Sequence, residues 1–196
     1  RPAVPLLIVT VVGIGSCAIV LGFHKYVADL YGLGRNWSEM ATMLPRVQSY
    51  FFMDALPYWE PVSRSITGVA MRHEHQLFLG VPIGILFGIC LYLLVRRRAS
   101  LSLRIFTVSV LVSFLIVTAF GDLSLYWFVA KIPGFDSLRA ISRVQLVLAF
   151  LTVMAVACLL RDHLCAGRSR AWQFSATALL ALWLVHDLAV VQKSTF

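Results

Sequence analysis

The sequence has little charge, and the charge it does carry is mostly basic. Charged residues make up 13% of its 196 positions, and 9 acidic side chains stand against 17 basic ones. Soluble domains carry about 25% charged residues, so this composition excludes an ordinary water-soluble globule. A hydrophobic fraction of 60% likewise excludes an intrinsically disordered chain.

Cysteine pairs and the common catalytic signatures are also missing. The four cysteines form no C-x-x-C pair, which disfavours both a disulfide framework and a zinc site. The sequence has no G-x-S-x-G, P-loop or dinucleotide-binding motif. Its basic residues form no stripe with interleaved aromatic residues, so we expect no nucleic-acid partner.

Long apolar runs dominate what is present, and the mean hydropathy is +0.84. A helix needs about 20 apolar residues to cross a hydrocarbon core about 30 Å thick. We therefore predict an all-α, polytopic transmembrane helix bundle that forms a single domain over 1–196. No ionisable residue lies near the middle of a predicted span, which disfavours an ion-coupled transporter. The five spans, with ends placed to within a few residues, are 4–22, 77–95, 103–120, 144–160 and 172–191.

The loop charges predict an orientation in the membrane. Arginines are concentrated in the loops around 96–104 and 161–170, and such loops face the cytoplasm. The N-terminus is then inside, the C-terminus is outside, and the outer loops are 23–76 and 121–143. The longer outer loop is rich in aromatic residues and interrupted by prolines, which predicts short helices in contact with lipid at the membrane surface.

The second predicted span contains three glycines spaced four apart, Gly80, Gly84 and Gly88. Glycines at this spacing share one helix face and allow another backbone to come close. We therefore predict a helix-packing contact, either within this chain or with a partner subunit. Ordinary bundle packing explains the same pattern.

Three carboxylates on the outer side are candidate catalytic residues. Glu74 precedes the second span, where the lower polarity near headgroups can raise a carboxyl pKa towards that of a general base. A solvated helix start, with Glu74 favouring the positive end of the helix dipole, is the alternative. Asp54 and Asp122 could each supply a base or a metal-binding carboxylate, although loop solvation explains them equally well. The histidines beside Glu74 lack a third metal ligand, so we assign no metal site and leave a divalent metal open as a cofactor.

Arginines on the outer side are candidate phosphate ligands. Arg139 and Arg143 are four residues apart and would share one face of a helix start. Two guanidinium groups at such a position form a good seat for a phosphate, and Arg72 is a third candidate. The alternative is a pair of arginines that bind lipid headgroups.

Three short motifs resemble those of bacterial membrane proteins of the GT-C glycosyltransferase type. The sequence EHQLFLG at 74–80 is similar to the E-x-x-L-F-P-G stretch that leads into a glycine-rich span in that family. The sequence IPGFDSLRAISR at 132–143 is similar to its later P-G-F-x-x-x-R-x-x-x-R loop. PRVQSYF at 45–51 resembles the periplasmic stretch that precedes the first of these motifs.

The resemblance implies a multi-pass protein of the bacterial inner membrane that moves a sugar from a polyprenyl-phosphate carrier at the outer face. In that reading Glu74, Asp54 or Asp122 acts as the base, and the arginines hold the departing phosphate. The chain has fewer spans than the family and lacks its adjacent acidic pair, so we expect either a C-terminal portion of a longer protein or a relative without catalysis. The alternative function is a non-catalytic membrane subunit or scaffold that binds or passes a lipid-linked intermediate.

Overall fold

The chain is mostly helical, which confirms the predicted all-α class. A computed structural model describes residues 3–69, 71–133, 135 and 141–193. Besides the α-helices there are short 3-10 helices at Val47–Phe51, Arg72–His75 and Ile141–Val144, and a π-helical turn at Leu160–Leu164. The α-helices are α1 (Ala3–Leu30), α2 (Trp37–Thr42), α3 (Glu60–Ser65), α4 (Val81–Val95), α5 (Leu101–Val117), α6 (Tyr126–Val129), α7 (Gln145–Leu159) and α8 (Arg170–Lys193).

Two helical stretches are long and apolar enough to cross a membrane, namely Val11–Leu30 and Ile141–His163. Two further apolar helices, Val81–Val95 and Leu101–Val117, are shorter than such a span. This pattern supports an association with the membrane.

The structure shifts several of the predicted helix ends. The span predicted from 77 begins only at Val81, because Gly80 takes a φ of 92° and Pro82 then occupies the first turn. The span predicted at 103–120 begins at Leu101, where the Ser100 hydroxyl caps the helix, and it ends at Val117. The backbone of the next residues is extended and forms a strand.

The first predicted span, 4–22, lies inside the longer helix α1. No proline occurs between residue 5 and the end of α1 at Leu30, which lies just before Gly32 with a φ of 63°. Between 11 and 30, Ala28 is the side chain of α1 that is buried. Most of α1 therefore presents apolar side chains to its surroundings.

Helices α4, α5 and α7 pack together and form the centre of the molecule. One buried cluster joins the ends of these helices that lie next to the arginine-rich loops, which we call the inner ends after the predicted orientation, and it contains two free cysteines. A second cluster joins the opposite halves of α5 and α7 to the two loops predicted to lie outside, 23–76 and 121–143, which keep the name outer loops. The inner cluster consists of Cys90, Ala99, Leu103, Ala155, Cys158 and Leu159. The outer cluster consists of Met40, Leu44, Val110, Val117, Ala119, Tyr126, Ile141 and Leu148.

The two outer loops are held against each other by backbone and hydroxyl contacts. The Ala119 amide donates to the Pro45 carbonyl at 2.7 Å, and the hydroxyls of Tyr50 and Thr118 lie 2.9 Å apart. The second loop then forms a hairpin in which β1 (Ala119–Phe120) pairs antiparallel with β2 (Leu123–Ser124). As predicted, the longer loop is divided into short helices.

Candidate functional site

Two of the residues predicted for the site, Asp54 and Arg72, bind each other. The Arg72 guanidinium donates from Nε to Asp54 Oδ2 at 2.8 Å and from an Nη to Oδ1 at 2.7 Å. The Ser63 hydroxyl also donates to Oδ1 at 2.5 Å. Further Arg72 donors reach the backbone carbonyls of Ser63 and Ile66 at 2.6 Å, so both charged groups are well satisfied within the loop.

The electrostatics of this pair follow from the same contacts. The hydrogen bond from Arg72 lowers the pKa of Asp54 to about 2. The partner carboxylate raises the pKa of Arg72 in turn. The guanidinium also lies over the Phe52 ring at 4.2 Å. The pair therefore joins the loop segments around 52–54, 63–66 and 72.

His75 is fully buried next to this pair and is bound on both sides of its ring. Its Nδ1 lies 3.0 Å from the Ser49 hydroxyl, and its Nε2 lies 3.3 Å from the Thr42 carbonyl oxygen. Burial lowers the pKa of the imidazole. These contacts give His75 a structural position between α2 and the 3-10 helix Val47–Phe51.

Glu74 lies on the 3-10 helix Arg72–His75, with its side chain 41% exposed. Its Oε1 is 3.9 Å from Nε2 of the exposed His73. Neither of the two pockets described below is lined by Glu74. Its role as a base stays a prediction.

An apolar pocket of about 290 Å³ lies between α4, α5, α7 and the outer loop. It extends from Gly80, the N-cap of α4, to Phe87, which is a rise of about 10 Å along the helix axis. Its outer end is formed by aromatic side chains of the loop. The lining residues are Tyr50, Phe51, Leu77, Phe78, Leu79, Gly80, Ile83, Gly84, Phe87, Val110, Phe114, Gln145, Leu148 and Thr152.

One buried polar group, the side-chain amide of Gln145, lines this apolar pocket. The Gln145 amide nitrogen donates to the Leu77 carbonyl, whereas its buried Oε1 has no partner in the described part of the chain. Arg143 lies two residues earlier, exposed, on the 3-10 helix Ile141–Val144. Arg139 lies outside the described residues. A cationic residue is thus close in sequence to one residue of the pocket wall.

The surroundings of Gly80, Gly84 and Gly88 differ from those expected for a helix contact within the chain. A Cβ atom added at Gly84 or Gly88 would meet nothing within 4 Å among the described residues. Gly80 forms the N-cap of α4 instead of a helical turn. Within the described part of the chain no helix therefore comes close to Gly84 or Gly88, and the missing side chain at Gly84 widens the apolar pocket.

A second, polar pocket of about 280 Å³ lies between α2 and the β1–β2 hairpin. Asp122, at the hairpin turn, lines it and is exposed. Arg46 and Trp37 line it from the other loop. Neither Asp122 nor Arg46 has an ion-pair partner among the residues that the structure describes. The remaining lining residues are Ser38, Ala41, Thr42, Leu44, Ala119, Gly121 and Ser124.

Comparison with models of protein families, with curated proteins and with solved structures found no match. The interpretation of the two pockets therefore depends on their geometry and on the motifs in the sequence.

The described residues contain no group of three or more metal-ligating side chains that could hold an ion. Of the three predicted carboxylates, Asp122 is the one that lines a pocket. Sequence reasoning did not single out Arg46, Trp37 or Gln145. The PRVQSYF motif at 45–51 contains Arg46 and is the sequence feature from which this residue could have been predicted.

Proposed function

We propose that this chain is a five-span protein of the bacterial inner membrane and forms part of a glycosyltransferase that uses a polyprenyl-phosphate-linked sugar at the outer face. In this arrangement α1, α4, α5, α7 and α8 correspond to the five spans. The extended segment at 77–80 adds length to α4, whose 15 residues cover about 22 Å. The observation that carries the proposal is the apolar pocket, whose lining residue Gln145 follows Arg143 by two positions in the sequence.

The apolar pocket takes part of the polyprenyl chain in this proposal. Its walls come mostly from aliphatic and aromatic side chains, which favour a hydrocarbon over a polar ligand. The phosphate then lies at Arg143, together with Arg139. As the sugar leaves the phosphate, these guanidinium groups stabilise the negative charge that develops on its oxygens.

The reaction needs a base on the outer side, and Asp122 is the best placed carboxylate. The acceptor hydroxyl oxygen attacks the anomeric carbon of the sugar, and the bond from that carbon to the phosphate oxygen breaks. The phosphate leaves with the electron pair, and Asp122 takes the hydroxyl proton. Asp54 is engaged by Arg72, which makes it a weaker candidate, and Glu74 remains an alternative.

The test compares two glycines of α4 in the full chain, purified in mild detergent. Gly84→Leu puts a side chain into the apolar pocket, whereas Gly88 does not line that pocket. Native mass spectrometry should find polyprenyl phosphate, or its sugar adduct, retained by the wild type and by Gly88→Leu. Gly84→Leu should reduce that retention at least about tenfold, which corresponds to a loss of about 1.4 kcal/mol in binding free energy. Retention of only ordinary phospholipid by the wild type would contradict the proposal.

The open glycine face favours a second candidate, a non-catalytic subunit or scaffold. Gly84 and Gly88 both face open space, and close helix approach at such positions is typical of membrane helix contacts. In a scaffold both leucine variants would release a partner subunit during purification. Loss of a partner from both, with no lipid effect specific to Gly84→Leu, would favour this alternative.

A further inference from the structure

The polar pocket combines two oppositely charged side chains that have no ion-pair partner in the described part of the chain. It offers a carboxylate at Asp122, which accepts hydrogen bonds, and a guanidinium at Arg46, which only donates them. The indole of Trp37 adds an apolar ring surface between α2 and the hairpin. The charges of the two side chains cancel, so a neutral ligand meets no net charge here.

We propose that this pocket binds a single neutral sugar ring, with Trp37 against the ring face and Asp122 and Arg46 on its hydroxyls. Each sugar hydroxyl both donates and accepts, so one molecule can satisfy both charged side chains. A uronic acid would bring a carboxylate close to the like charge of Asp122, and an amino sugar would bring an ammonium group close to the like charge of Arg46.

The size of the pocket limits the ligand to a single ring. Its volume of about 280 Å³ is at the lower end of the range for small-molecule sites. Ser38 and Ser124 line the pocket as well. The Ser38 hydroxyl donates to Asn36 at 2.7 Å and can still accept, whereas the Ser124 hydroxyl accepts from the Tyr126 amide at 3.1 Å and can still donate. The choice of a sugar over other neutral polyols rests on the proposed glycosyl transfer.

The test is a titration of the full chain with methyl glucoside, followed by ligand-observed NMR. The protein is held in phospholipid nanodiscs, because detergents with sugar headgroups would compete. We expect saturable binding in the millimolar range. Asp122→Asn and Arg46→Gln should each weaken the binding about tenfold, because hydrogen bonds to charged groups are stronger than those between neutral groups. Trp37→Leu should weaken the binding several-fold, because the aromatic surface against the sugar ring is lost.

Matched controls come from the ion pair of α3, which lies outside the pocket. Glu60→Gln and Arg64→Gln remove one carboxylate and one guanidinium there and should leave the sugar affinity unchanged. Thermal melting of every variant verifies the fold. The proposal is overturned if the wild type shows no saturable binding, if Asp122→Asn and Arg46→Gln bind as well as the wild type, or if glycine binds and the sugar does not.

Two additional arms separate this proposal from the proposed function and identify the source of the sugar. Polyprenyl phosphate binding is measured on the same samples, so loss of one ligand without the other shows which proposal fails. Displacement of methyl glucoside by polyprenyl-phosphate glucose assigns the pocket to the sugar of the lipid carrier. Simultaneous binding of both assigns it to the acceptor, and either result supports a sugar site.

Discussion

At the scale of single residues, the outer loop is organised by polar side chains that are buried or paired. His75 is the clearest case, because its imidazole is enclosed between Ser49 and Thr42. Burial lowers its pKa below the ordinary value of 6.5. As the pH falls, His75 therefore binds a proton more readily in the unfolded chain than in the folded one.

This difference predicts a pH-dependent stability. Stabilisation by the neutral His75 should be complete above its unfolded pKa of about 6.5 and should decrease as the pH falls below that value towards the lower folded pKa. His75→Gln should flatten this slope in thermal melts, whereas His73→Gln, which changes a side chain 73% exposed, should retain it. Equal slopes in the two variants would contradict the prediction.

The sequence located the charged residues of the outer loop, but it could not show which of them bind each other. Asp54 and Arg72 were assigned to a base and a phosphate ligand, yet they lie 18 residues apart and form an ion pair. Their pairing depends on how prolines and short helices fold the loop, which no local pattern encodes. Arg46 and Asp122 share a pocket for a similar reason, since β1 brings Ala119 beside Pro45.

At the scale of elements, hydropathy located the helices well and placed their ends less well. Apolar content does not distinguish a helical residue from an extended one, so the segment at 77–80 was included in a span. The actual start of α4 is set by Gly80 and Pro82, which are backbone features. The turn at Gly121 depends on the same kind of feature, with a φ of 66°.

Two glycines should therefore respond to alanine with opposite signs. Gly121→Ala forces an L-residue into the left-handed region and should destabilise the protein by about 1 kcal/mol. Gly88→Ala adds a methyl group in open space on a helix and should stabilise it by about 0.5–1 kcal/mol. Thermal melts in the same nanodiscs measure both, and a stabilising effect of Gly121→Ala would show that the hairpin does not need this turn.

At the scale of the whole molecule, the distribution of charge is the main evidence for an orientation. The loops around 96–104 and 161–170, next to the inner cluster, contain seven of the fourteen arginines, and Asp162 is the one acidic residue there. Asp162 is bound by Arg161 and Ser100, so these loops remain basic overall. Both pockets lie towards the opposite end, where the acidic residues are concentrated, and a substrate on the outer side would reach them directly.

Cysteine labelling in intact cells tests that orientation. In a variant without the four native cysteines, Gln48→Cys introduces an exposed thiol in the longer outer loop, and Ala166→Cys introduces one in the loop before α8. A membrane-impermeant maleimide should label residue 48 in intact cells and residue 166 only after permeabilisation, because the basic loops remain in the cytoplasm. The reverse pattern would place the pockets on the cytoplasmic side, where the sugar carrier would have to be used before it crosses the membrane. Labelling of both residues in intact cells would mean that an even number of spans separates them, which is incompatible with α4, α5 and α7 all crossing the bilayer.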